Sequence, residues 1–256
     1  MAGRIDLNCD MGESFGAYTL GLDSDIIRHI TSANIACGFH AGDPGWMRKT
    51  VALAESCRVG VGAHPGFPDL RGFGRRILAA TPQEVHDDLT YQIGALTAFT
   101  SAKRLQHVKP HGALYNMAAG REDLAAAIAD AVVAADSRLI LVVLAGSPWV
   151  EIARRGGTRV AREVFADRAL QADGTLVPRS KPGAVLRDAT EVVERSLRLV
   201  TEGTAVAVTG EIVDVPADTI CLHGDTPGAV ALAAALRDAF GRAGVTLVSM
   251  GEIVGD

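Results

Sequence analysis

The chain has 256 residues, 48% of them hydrophobic and 21% charged, and a formal net charge of −5. That length fits one α/β barrel of about 250 residues, and its scattered Lys and Arg argue against a nucleic-acid or anionic-membrane partner. The opening MAGRIDLNCD has no apolar signal segment, and the longest apolar run, 139–145, falls far short of the about 20 residues that span a bilayer.

In chain order, strand-like runs fall at 5–9, 33–38, 60–64, 105–109, 139–144, 160–165 and 219–223, with a last one at 246–250. Between them, PGWMRKTVALAESCRV, TPQEVHDDLTYQIGALTAFTSA, REDLAAAIADAVVAA, DATEVVERSLRLVTE and TPGAVALAAALRDAFGRAG repeat apolar residues at three and four, the helical period. Such alternation predicts a parallel sheet with helices outside it. Seven or eight units favour a closed or nearly closed barrel, and without a linker-like stretch residues 1–256 read as one domain. Two connections, PGFPDLRGFGRRILAATP and DRALQADGTLVPRSKPGAVLRD, are long enough to expect active-site lids. The four cysteines, Cys9, Cys37, Cys57 and Cys221, have no CxxC spacing, and three of them fall inside predicted strands. They read as reduced thiols of a cytoplasmic protein.

Residues two apart in a strand share a face. On that rule Asp6, Asn8 and Asp10 point one way, opposite Ile5, Leu7 and Cys9. Asn34, Ala36, Gly38 and His40 share a second face, if the strand register persists through its last residues. Gly60, Gly62 and His64 form a third, His107, Lys109 and His111 a fourth, and Cys221, His223 and Asp225 another. These five strands thus each have an apolar face for the helices and a polar or small face for the lumen, with polar groups gathered toward the C-terminal end, the active-site end of such barrels. Burying carboxylates, histidines and a lysine together is costly unless they pair or serve a ligand.

Three chemistries suit this cluster. Histidines with a carboxylate bind a divalent metal, for which Asp10, His40, His64 and His111 are candidates. A carboxylate and a histidine serve as general base and acid. A lysine holds an oxyanion or phosphate. There is no HExxH, G-x-S-x-G, H-x-E with CxxC, P-loop, or G-x-G-x-x-G after a strand. In HGDTPGAV, Asp225 or Thr226 is a candidate N-cap before Pro227, and the helix start a candidate phosphate site.

The motifs DLNCDMGESFG, NIACGFHAGDP, GAHPGFPDLRGFGRR, KPHGALYN, EVFADRAL and CLHGDTPGAV, in this order, resemble the LamB/YcsF family of prokaryotic 5-oxoprolinase A subunits. The resemblance implies an irregular (β/α) TIM-like barrel similar to the glycoside hydrolase/deacetylase superfamily. It implies ATP-dependent (Mg2+) opening of 5-oxo-L-proline to L-glutamate, with partner subunits B and C. The absence of a P-loop then has a setting, since phosphorylation can rest on the partners. Under this reading Asp6 or Asp10 orients or activates water, while His40, His64 and His111 share proton transfer or hold a metal. Lys109 faces the oxyanion or phosphate, and His223 with Asp225 completes the far wall. Asn8, Glu13, Asp43, Arg71, Arg75, Arg76, Arg168, Arg179, Asp225 and Thr226 are the candidates for binding substrate or phosphate. Competing readings are a metal-dependent deacetylase or carbohydrate hydrolase on the same barrel, which 5% aromatic content disfavours for sugar stacking, and a non-catalytic scaffold subunit. Homo-oligomerisation stays open.

Overall fold

Strand and helix alternate until the sheet closes on itself. The computed structural model describes residues 3–223 and 228–255, with His223 described by its backbone alone. In chain order the elements are β1 (Arg4–Met11), α1 (Asp23–Ile26), β2 (Ser32–Ala36), α2 (Pro44–Ser56), β3 (Gly60–His64), α3 (Pro82–Thr97), β4 (His107–Val108), α4 (Gly112–Gly120), α5 (Glu122–Ala135), β5 (Ile140–Leu144), α6 (Trp149–Arg155), β6 (Arg159–Phe165), α7 (Ala189–Glu202), β7 (Thr204–Val206), β8 (Ile212–Asp214), β9 (Thr219–His223), α8 (Ala229–Arg242), β10 (Thr246–Leu247) and α9 (Met250–Val254).

Strands β1 to β6 pair in sequence order, β6 pairs with β9, and β9 returns to β1, every pairing parallel. Seven strands therefore make the ring. The last predicted strand does not enter it: β10 pairs with β1 only at Arg4 and Ile5, below the β9 pairing that begins at Asp6. Strands β7 and β8 form a separate antiparallel hairpin that the alternation did not foretell. β2 ends at Ala36, which leaves Cys37 just outside it, and Met250 opens α9 rather than ending a strand.

Local signals explain the helix starts. Thr81 and Glu84 form a reciprocal capping box at α3, with Pro82 in its first turn. Asp43 caps α2 by accepting from the Trp46 amide at 2.9 Å. The main apolar core lies between ring and helices and takes the outward residues Ile5, Leu7, Cys9, Leu141 and Val143. A smaller cluster of Ile140, Val142 and Ala161 with Met250 joins the other faces of β5 and β6 to α9. The outward apolar face predicted for β1 is thus observed, whereas β5 carries apolar residues on both faces.

Gly62 shows why a small residue belongs on the inner face of β3. A Cβ there would lie 2.1 Å from Nε2 of His107, whose ring is buried and shares a 2.7 Å hydrogen bond with Asn34. Gly62→Ala should therefore lower stability by about 1–3 kcal/mol through overpacking. An unchanged denaturant midpoint would show that the ring shifts freely and that this packing is not tight.

Candidate active site

The lumen is built in polar layers, from the bottom up. Asp6 is fully buried and accepts from the hydroxyls of Thr31, Ser32 and Thr219. Burial raises its carboxyl to about 6, although these hydroxyls and Glu163 act on it too. Above it, Asn8 donates to Thr219 at 2.7 Å and to Glu163 at 3.1 Å. Asn34 donates to Asn8 at 2.7 Å and Asp10 at 2.9 Å, so β1 and β2 share one network. Burial pushes His107 down to about 3, which keeps its ring neutral in this layer.

Lys109 ties the next layer together. Its Nζ lies 2.9 Å from Asp10 Oδ1, 2.9 Å from Glu163 Oε1 and 2.9 Å from Cys221 Sγ. Burial alone would lower this ammonium, yet Asp10, Cys221 and Glu163 hold it well above its ordinary value. The lysine is therefore a charged post between two buried carboxylates. Burial raises the Cys221 thiol well above its usual range, against the lowering effect of Lys109.

A cluster of three histidines and one glutamate forms the top layer. Glu13, His40, His64 and His111 are all buried, and one donor atom from each lies within 4.8 Å of the others, a grouping that could hold a metal ion. His40 stacks on His111 with ring centroids 3.8 Å apart. His64 Nδ1 lies 2.7 Å from the Lys109 carbonyl oxygen, and His111 Nε2 lies 2.8 Å from that of Phe73. Burial, with the neighbouring histidines, pushes His40 and His111 well below the ordinary imidazole range. The first long connection packs here. A Cβ on Gly74, which has φ +62°, would lie 2.7 Å from the His40 side chain, and the Phe73 ring meets His40 and His111 edge-on. Residues 73 and 74 are thus a fixed wall of the cluster.

Asp10, His64, Lys109 and His111 line the floor of a cavity of about 690 Å³, with Arg75, Arg168 and Arg179 on its sides. Leu176 and Val177 of the second long connection complete an apolar wall with Phe165 and Tyr115. The arrangement suits a small anionic molecule: cations at the side, and a carboxylate and imidazoles below.

A LamB/YcsF family model matches residues 5–255. The chain belongs to the LamB/YcsF family. Relatives include a protein from Pyrococcus furiosus named as the A subunit of 5-oxoprolinase, 55% identical over 98% of this chain and 99% of its own length. Another of that name, from Bacillus subtilis, is 53% identical over 97% of this chain and 98% of its own. The crystal structure of a lactam utilization protein from Thermus thermophilus superposes with a TM-score of 0.91 at 50% identity, covering 96% of this chain and 99% of that one. A deacetylase structure, T48, superposes at TM-score 0.52 and 13% identity over 98% of this chain and 90% of that one, a likeness of fold alone.

Within this LamB/YcsF barrel the predicted residues separate. Asp10, Glu13, His40, His64, Lys109 and His111 converge at the C-terminal ends of β1 to β4, while Asn8 supports them from below. Glu13 rather than Asp10 joins the three histidines in the candidate metal group. Asp6 lies deeper instead, four residues before Asp10 in β1 and engaged by three hydroxyls. His40 does not arrive by persistence of the β2 register: the strand stops at Ala36, Gly38 takes φ +92°, and a turn delivers the ring. Asp43 spends its carboxylate on the amides of Trp46 and Gly16, as a cap and loop anchor.

Of the arginines, Arg75, Arg168 and Arg179 reach the cavity. Arg168 also donates to the carbonyls of Val177 and Ala184, which holds the second long connection in place. Burial lowers its guanidinium to about 10. Arg76 instead pairs with Asp69 and is exposed, and Arg71 is exposed beside it. The side chain of His223, and all of Asp225 and Thr226, lie outside the described residues; the described part of α8 starts at Ala229 with Gly228 as N-cap. Glu163 is a site residue the sequence reading missed. Its signal was one acid inside the otherwise buried run of β6, where only a partner charge makes burial tolerable.

Proposed function

We propose that this chain is the A subunit of a 5-oxoprolinase, which opens the lactam of 5-oxo-L-proline to L-glutamate with ATP, in company with subunits B and C. The observation that carries the reading is the cavity over Asp10, Lys109, His64 and His111, in a chain 53–55% identical over nearly its whole length to proteins named for that enzyme. We place it in the cytoplasm, as one catalytic domain. No helix among the described residues is long and apolar enough to cross a membrane.

The chemistry follows from the substrate. A lactam is resonance-stabilised, so attack on its carbonyl needs activation, and phosphorylation of the oxygen by ATP provides it. Water then adds to the ring carbon, the C–N bond breaks as the nitrogen is protonated to leave an acyl phosphate, and a second water hydrolyses that to L-glutamate and inorganic phosphate. Asp10, aligned by Lys109 and Asn34, is placed to take the proton from water. Asp10, having taken that proton, is the group that returns it to nitrogen. Arg75, Arg168 and Arg179 hold the substrate carboxylate or the phosphate. With no P-loop in the chain, magnesium and the nucleotide are assigned to the assembled enzyme, with the partners supplying the phosphate cradle.

The test is L-glutamate formation from 5-oxo-L-proline and ATP by the purified chain, with and without its partner subunits. Turnover that needs all the subunits is expected. No glutamate in any combination overturns the reading.

A further inference from the structure

The hydrogen-bond directions in the histidine cluster fix its ring tautomers and expose a conflict. A carbonyl oxygen only accepts, so the ring nitrogen facing it carries the hydrogen. His64 Nδ1 faces the Lys109 carbonyl, and His111 Nε2 faces that of Phe73. When such a ring is neutral, its other nitrogen is a bare lone pair. Those two nitrogens, His64 Nε2 and His111 Nδ1, are 2.9 Å apart. Two lone pairs at that distance repel unless something positive lies between or beside them.

More electron pairs point the same way. Neither ring nitrogen of His40, a fully buried side chain, has a hydrogen-bond partner among the described residues. Glu13 Oε1 lies 3.6 Å from His40 Nε2 and 3.9 Å from His111 Nδ1. A single shared proton would settle the pair formed by His64 and His111 and leave both nitrogens of His40 unmatched. A metal ion takes one lone pair from each of the four side chains at once and leaves only the second nitrogen of His40 unmatched. Lys109 already spends its charge on Asp10 and Glu163, so it does not serve this purpose.

We propose that Glu13, His40, His64 and His111 form a site for one divalent cation of the zinc and cobalt class. Three imidazoles and one carboxylate suit that class, whereas magnesium favours oxygen ligands. The ion is therefore distinct from the magnesium that accompanies ATP. The carbonyls of Lys109 and Phe73 are the outer partners that fix the tautomers and aim the rings. Bound here, beside the cavity floor, the cation supplies a Lewis acid. This deepens the lactam-hydrolase reading and rests on it only for the substrate, not for the binding of the ion.

Cobalt is the probe. The full chain, stripped with a chelator and dialysed, is titrated with Co2+, and visible ligand-field bands and bound metal are measured together. The expected result is about one equivalent per chain with bands that saturate, and a melting temperature that rises with added Co2+, as binding to the folded state requires. His40→Ala and Glu13→Gln should weaken binding by more than the about 10–100-fold that losing an outer partner costs. Circular dichroism on each variant checks that it is folded, and the melting shift of the unaltered chain needs no variant. Absence of bands and of bound cobalt overturns the site, as does saturation unaltered in both folded variants. Cobalt binding with no glutamate in any subunit combination keeps the site and overturns the lactam reading; glutamate formed by a chain that binds no cobalt does the reverse.

Discussion

Asp10→Asn should lower turnover of the assembled enzyme by at least about a hundredfold, the usual size of a general-base contribution, while the chain stays folded. The substitution keeps the shape of the side chain and an oxygen to accept from Asn34, which lies 2.9 Å away. It removes the negative charge that faces both Lys109, at 2.9 Å, and His64 Nε2, at 3.3 Å. Lys109 keeps Glu163 as a counter-ion, so the layer retains an ion pair. The loss should fall on kcat more than on KM, because water activation matters in the transition state and the arginines that line the cavity are untouched. Glutamate formation at near-normal rate by a folded Asp10→Asn complex would remove Asp10 from the mechanism.

Lys109→Met tests the same layer through stability. Removing the ammonium leaves Asp10 and Glu163 buried around an apolar side chain, and breaking a buried charge pair in this way costs about 3–5 kcal/mol. In the parent protein the lysine sits well above its ordinary value in the folded state. Its contribution is therefore complete at neutral pH and is lost only as pH climbs past the ordinary lysine range. Urea midpoints of both proteins at neutral pH measure the deficit. A deficit below about 1 kcal/mol, the size of an exposed ion pair, would mean that the charge at Lys109 is not what makes the burial of the two carboxylates tolerable.

Much of the barrel was legible in the sequence because strand alternation is a strong physical signal. The limits of β3 and β9 coincide with the predicted runs, and the inward faces of β1 and β4 carry the predicted residues. What eluded the pattern has local causes. β10 looks like an eighth strand by composition, but β9 already occupies the edge of β1 above Ile5. Period-two reasoning fails past Ala36, where a positive-φ glycine turns the chain. Asp43 sits before a proline at a helix start, which is also the signature of a cap, and capping is what it does. Arg71 and Arg76 share an arginine-rich connection with Arg75, yet only Arg75 lines the cavity. Sequence cannot rank neighbours in a loop whose backbone turns between them. Glu163 escaped notice because it has no glycine or proline beside it, and its meaning appears only when Lys109 is seen to need a second carboxylate.

The place where β9 meets β1 has a consequence for how the protein folds. Thr219 joins Asn8 and Asp6 across separations of 211 and 213 residues. Contacts so distant in sequence carry a large loop-closure entropy and slow folding. The seam they close is also the one that brings Cys221 to Lys109. Ring closure thus also brings the last partners of the polar lumen into place. Until it occurs, the acidic face of β1 stays in water, where its charges carry no desolvation cost. A chain halted before β9 holds the candidate site residues of β1 to β6 but lacks Thr219 and Cys221, the partners that complete their layers.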